Sequence, residues 1–77
     1  MAALNISMQV TIQISINGEP REVPNSLNVV ALLAHLGITA ERVAIERNRD
    51  ILPRANWQGT LVQPGDSYEL VHFVGGG

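Results

Sequence analysis

Gln9-Val10-Thr11-Ile12-Gln13-Ile14-Ser15-Ile16-Asn17-Gly18-Glu19-Pro20-Arg21-Glu22-Val23 is the stretch that decides how this chain folds. Val10, Ile12, Ile14 and Ile16 alternate with Gln9, Thr11, Gln13 and Ser15. Strict period two over such a run is a strand with one buried face. Asn17-Gly18 follows at once and supplies the positive φ values of a type I′ hairpin turn. Glu19–Val23 is then the returning strand. Pro20 has no N–H to give to a ladder, so this strand belongs at a sheet edge.

An isoleucine face needs something to cover it. Pro24-Asn25-Ser26 breaks the strand, and Asn28 is the candidate helix N-cap, with Ser26 its competitor. Val29, Leu32, Leu33 and Leu36 then recur at helical spacing, with Ala31 and Ala34 as good helix formers. Gly37 suits the left-handed residue that ends a helix. The spacing predicts a helix over about 28–36 whose apolar stripe lies on the hairpin.

Val43–Arg47 reads as a third strand, Asn48-Arg49-Asp50 as a turn, and Ile51-Leu52 as a very short fourth strand stopped by Pro53. Pro53–Trp57 looks irregular or single-turned. Pro64-Gly65-Asp66 is a strong turn signal, and Asp66 is read as a turn residue. Ser67-Tyr68-Glu69-Leu70-Val71-His72-Phe73 forms the last strand. It carries apolar residues on both faces, so it is expected in the middle of the sheet. The order β-β-α-β-β-β lacks the crossover helices of a doubly wound sheet. It predicts an α+β fold, one mixed sheet of about five strands with a single helix across it. The first and last strands would lie parallel at the centre, joined by a right-handed connection. That is the ubiquitin-like β-grasp arrangement. Residues 1–8 are expected to be a flexible extension, with Met8 an alternative start, 9–74 the domain, and 75–77 a flexible glycine tail.

Composition narrows the function classes. A chain of 77 residues is one small domain with little spare volume for an internal active site. It has no cysteine, hence no disulfide, thiolate metal site or cysteine nucleophile. His35 and His72 show no metal-ligand spacing, and no metal is expected. The net charge is −2 and the charges are scattered, so no basic stripe invites nucleic acid. No apolar run approaches the length of a membrane span. The opening residues lack the basic and apolar regions of a signal peptide. A cytoplasmic protein with no nucleic-acid or membrane partner is expected. Every cationic side chain is arginine. The absence of lysine is read as sampling in a short chain, ahead of protection against self-acylation.

Gly75-Gly76-Gly77 follows directly on the apolar strand-like run Ser67–Val74, and these glycines are not expected to serve the positive φ of a turn. Together with Pro53-Arg54-x-x-Trp57, Pro64-Gly65-Asp66 and Glu69–Gly77, it closely resembles the sulfur carrier protein of thiamine biosynthesis. Val43–Asn48, Asn17-Gly18-Glu19 and Leu32-Leu33-x-x-Leu36-Gly37 fit the same family. The resemblance covers about residues 9–77.

The resemblance implies a protein cosubstrate rather than an enzyme. An E1-like activating enzyme would adenylate the Gly77 carboxylate with ATP, and no cofactor would be bound by the carrier itself. A persulfide sulfur from a donor protein would replace the AMP to give a thiocarboxylate. Thiazole synthase would take that sulfur for the thiazole ring of thiamine. Gly75 and Gly76 would thread the partner's channel, because a tail without Cβ atoms passes where side chains clash. Two alternatives share the tail: the small subunit of molybdopterin synthase, which usually lacks the Pro-Arg-x-x-Trp segment, and a ubiquitin-like modifier of target lysines.

Leu70, Val71, Phe73 and Val74 form the candidate partner interface, since an apolar patch beside the tail marks a protein–protein site. Alternation splits them between the helix side and the partner side without assigning which is which. Trp57 is read as packing over the core edge ahead of a partner contact. Arg54 either anchors the same loop or pairs with a partner's acid. His72 is read as structural or interfacial rather than catalytic, and His35 as solvated.

Overall fold

The computed structural model describes residues 10–73. The extension 1–8 and the residues Val74, Gly75, Gly76 and Gly77 lie outside the described residues.

Strands β1 (Thr11–Ile16) and β2 (Glu19–Pro24) form the expected antiparallel hairpin, with Ile16 opposite Glu19. Asn17 and Gly18 at its tip have φ of 51° and 84°, the geometry of a primed turn. Helix α1 (Val29–Leu36) follows. Its N-cap is Asn28, whose Oδ1 accepts from the Ala31 N–H at 2.8 Å. Ser26 instead takes a turn conformation with φ 71°. Gly37 ends the helix in the left-handed region at φ 73°.

Strands β3 (Val43–Arg47), β4 (Asp50–Ile51) and β5 (Ser67–His72) complete one sheet in the order β2-β1-β5-β3-β4. β5 runs parallel to β1 and antiparallel to β3. It is central, and β2 with its Pro20 is at an edge, as Pro20 requires. This mixed sheet with one helix across it is the ubiquitin-like β-grasp. β4 begins one residue earlier than expected. Asn48 and Arg49 both take positive φ, 52° and 76°, and this two-residue loop sets Arg47 opposite Asp50. A short 3₁₀ turn over Ala40–Arg42, unforeseen in the sequence, leads from α1 into β3.

The core lies between helix and sheet. Ile14, Ile16 and Val23 of the hairpin meet Val29, Leu32 and Leu33 of α1, with Val43, Ile45, Tyr68 and Leu70 from the other strands and Trp57 and Val62 from the loop. Leu32 is completely buried, and truncating such a leucine to alanine typically costs about 2–5 kcal/mol. Val30 and Ala34 look outward, so the helix is apolar on the stripe facing the sheet and the sheet's other face stays open.

Candidate functional site

The pleat of β5 sorts its side chains. Tyr68 and Leu70 point into the core, while Glu69 and Val71 are exposed on the open face. Of the four candidate interface residues, Leu70 is therefore corrected. It is 7% exposed and packs in the core, because its parity matches Tyr68 and the helix lies on that side. Val71 and Phe73 are about half exposed, at 56% and 49%. Val74 lies outside the described residues, as do Gly75, Gly76 and Gly77.

Around Val71 the open face is shallowly concave. A groove of about 170 Å³ is lined by Ala44, Ile45, Glu46, Ile51, Glu69 and Val71. Ile51 is 77% exposed, a large apolar surface for a short edge strand. Glu46 and Glu69 stand directly opposite each other across β3 and β5. Like charges so placed are mildly destabilising in the isolated sheet. The groove thus combines apolar walls with negative charge, next to where the chain leaves the sheet.

β5 is anchored at that end on both sides. Toward β3, the Phe73 N–H donates to the Arg42 carbonyl at 3.0 Å. Toward β1, the Asn17 side chain bonds the Leu70 backbone. Its Oδ1 accepts from the N–H at 2.8 Å and its Nδ2 donates to the carbonyl at 3.3 Å.

The start of β5 is anchored by Asp66, which is far more than a turn residue. It is 6% exposed. Its Oδ2 accepts from the Gln63 N–H at 2.9 Å, the Tyr68 hydroxyl at 2.9 Å and Arg47 Nε at 3.0 Å. Its Oδ1 accepts from Asn48 Nδ2 at 3.2 Å. Burial disfavours the charged carboxylate, but these donors outweigh it and hold Asp66 below the usual carboxylate range. Burial, then the bond to Asp66, pushes the Tyr68 hydroxyl up to about 12. A usable signal was present in the sequence. An inward-facing tyrosine needs a polar partner, and Asp66 is two residues away.

The Pro-Arg-x-x-Trp segment is architectural. Trp57 is buried, and its Nε1 donates to the Leu52 carbonyl at 3.0 Å. Arg54 stacks on the ring, its Cζ 4.5 Å from the centroid. Its Nη2 also donates to the Ala40 and Glu41 carbonyls at 2.8 and 3.3 Å. Arg54 therefore ties this loop to the turn before β3. His35 and His72 are both exposed. Among the described residues no three His, Cys, Asp or Glu side chains cluster as a metal site. No helix among them is long and apolar enough to cross a membrane.

The model of the ThiS family matches residues 14–77, from within β1 through the groove to the glycine tail. The chain belongs to the ThiS family. It is similar to the crystal structure of a thiamine biosynthesis protein, ThiS, from Geobacter metallireducens. The two are 39% identical, with a TM-score of 0.76 over 86% of this chain and 100% of that one. It is 45% identical over 62 residues to a thiazole synthase of Paramagnetospirillum magneticum, covering 80% of this chain and 19% of that protein. It is 38% identical over 65 residues to a thiazole synthase of Magnetococcus marinus, covering 84% of this chain and 20% of that one. The chain spans about a fifth of the length of these two relatives.

Proposed function

We propose that this protein is a sulfur carrier of thiamine biosynthesis and that the reacting atom is the carboxyl carbon of Gly77. The observation that carries this reading is the family match running through Gly77. Two thiazole synthases that contain a stretch like this chain support thiazole synthase as the acceptor of the sulfur. In them the carrier-like stretch belongs to the same polypeptide as the rest of the synthase.

A carboxylate repels nucleophiles and lacks a leaving group. Attack of a Gly77 oxygen on the α-phosphorus of ATP expels pyrophosphate and joins the acyl group to AMP. The terminal sulfur of a donor protein's persulfide then attacks the acyl carbon, and AMP departs with the bonding pair. A thiol reductant cleaves the resulting acyl disulfide and leaves the thiocarboxylate. Activation belongs to an E1-like enzyme, so the carrier is a cosubstrate, working in the cytoplasm, and contributes no catalytic group. Its own work is delivery. Gly75 to Gly77 reach about 10 Å when extended. Ordering them costs about 1–2 kcal/mol each, which keeps the tail from lodging in one enzyme. Val71 and Phe73, with the groove beside them, offer the surface that the partners grip.

Incubation with ATP, the activating enzyme and a persulfide donor should raise the intact mass by the difference between sulfur and oxygen. Tandem fragmentation should place the change at Gly77. An unchanged mass beside an active enzyme, or full sulfur transfer after deletion of Gly77, would sink the reading.

A further inference from the structure

Strand β1 ends at Ile16, but β5 continues to His72. In their parallel register Ser15 faces Ser67 and Ile16 faces Tyr68. The Asn17 backbone N–H still reaches the Tyr68 carbonyl at 2.8 Å. After that β1 turns away at the hairpin, and the next backbone groups of β5 on this side belong to Leu70. The Asn17 carboxamide takes both of them, at 2.8 and 3.3 Å. A primary carboxamide carries the same donor and acceptor pair as a peptide group. The side chain therefore adds one rung to the ladder after the backbone of β1 has run out. Beyond Leu70, β5 has no strand partner on the β1 side among the described residues.

We infer that Asn17 is a positioning residue for the C-terminal segment: its carboxamide fixes β5 at Leu70 and so sets the direction in which the chain leaves the sheet toward Gly77. The inference rests on the reading of Gly77 as the acylated residue. β3 still holds β5 at His72, and the Arg42 carbonyl holds Phe73, so the free reach is the four residues from Phe73 to Gly77, up to about 13 Å. A hinge of about 10° at the base of that reach would carry its end through about 2 Å, and a misplacement of about 1 Å can already cost about a hundredfold in rate. The rung at Leu70 steadies the β1 side of the strand from which that reach departs.

The turn and the rung can be separated. Asn17 sits at φ 51°, which glycine adopts freely, so Asn17→Gly keeps the hairpin and deletes only the clamp. Two measurements read the consequence: amide hydrogen exchange, and steady-state adenylation with ATP and the activating enzyme. The Leu70 amide of Asn17→Gly should exchange at least about tenfold faster than in the wild type, while the Ile45 and Leu32 amides keep their wild-type order of protection. Its kcat should fall by roughly tenfold, the size expected from losing two hydrogen bonds, and its KM should stay within about twofold because the exposed docking residues are unchanged. Val62→Ala supplies the control. Val62 is buried and its backbone bonds Leu27 rather than β5, so it lowers stability without touching the rung. An unchanged kcat in Asn17→Gly, or an equal fall in Val62→Ala, overturns the assignment and leaves the sulfur-carrier reading standing. A wild-type chain that keeps its mass beside an active enzyme removes both.

Discussion

The two ends of β5 are held by opposite means. At the start, one buried carboxylate gathers four donors, from Gln63, Tyr68, Arg47 and Asn48. Asn48 also accepts from the Ser67 N–H at 2.9 Å, so the β3–β4 turn, the loop before β5 and β5 itself meet at Asp66. At the other end the side chains Val71 and Phe73 face outward, and the β1 side is held by a single carboxamide. The contrast separates two jobs on one strand. The closed end fixes register and folding. The other end leaves the apolar side chains Val71 and Phe73 about half in solvent. Mutations at the closed end should therefore be read in stability, and mutations at the open end in function.

The largest effect on stability should come from Asp66→Ala. It strands the Tyr68 hydroxyl in the core and removes the acceptor of the Gln63 N–H, at a cost of about 2–4 kcal/mol. Urea unfolding followed by Trp57 fluorescence would measure it. A change under about 1 kcal/mol would mean that the two ends of β5 are not distinguished as described.

A smaller effect at the same end comes from pH. The folded Asp66 titrates below its unfolded value, so its stabilisation is present above the ordinary carboxylate range and fades as pH falls through the folded pKa. Tyr68 has the opposite sign. Its folded value, about 12, lies above the unfolded one, so its contribution is complete below about pH 10 and is lost as pH rises toward 12. The size is roughly 2–3 kcal/mol across that window. Unfolding curves between pH 9 and 12 should show the loss in the wild type and a flatter profile in Tyr68→Phe. An equally steep profile in Tyr68→Phe would place the alkaline sensitivity elsewhere.

Much of this was legible in the chain because its signals are local. The period-two isoleucines, Asn17-Gly18, the Asn28 cap and Gly37 each act within a few residues, and each element they predict is present. The central place of β5 followed from apolar residues on both its faces. Contacts that depend on register were not legible. Asn17 reads as a turn residue, and only the parallel pairing of β1 with β5 brings it to Leu70, fifty-three positions on. Asp66 also reads as a turn residue, because Arg47 and Asn48 reach it only once β3 and β5 are paired. Leu70 could not be assigned to a side until the helix had chosen one. The glycine tail carries its meaning through family membership, since the ThiS family match runs through Gly77.

The smallest effect on stability, and the sharpest test of the open end, is expected from Val71→Thr and Phe73→Ser. Both side chains are about half in solvent, and surface changes of this kind usually stay within about 0.5 kcal/mol. Threonine keeps the β-branched shape that suits a strand, so Val71→Thr removes apolar surface and little else. If the open face is where partners grip, the pair should raise the KM for the activating enzyme several-fold and leave kcat nearly unchanged, the signature of lost docking rather than lost chemistry. Asn17→Gly should do the reverse. A rise in KM without a fall in kcat at Val71 and Phe73, beside a fall in kcat without a rise in KM at Asn17, would separate gripping from aiming within a few residues of one strand. A loss of stability above about 1 kcal/mol in Val71→Thr would instead mean that the open end also helps hold the fold, and the division between the two ends of β5 would fail.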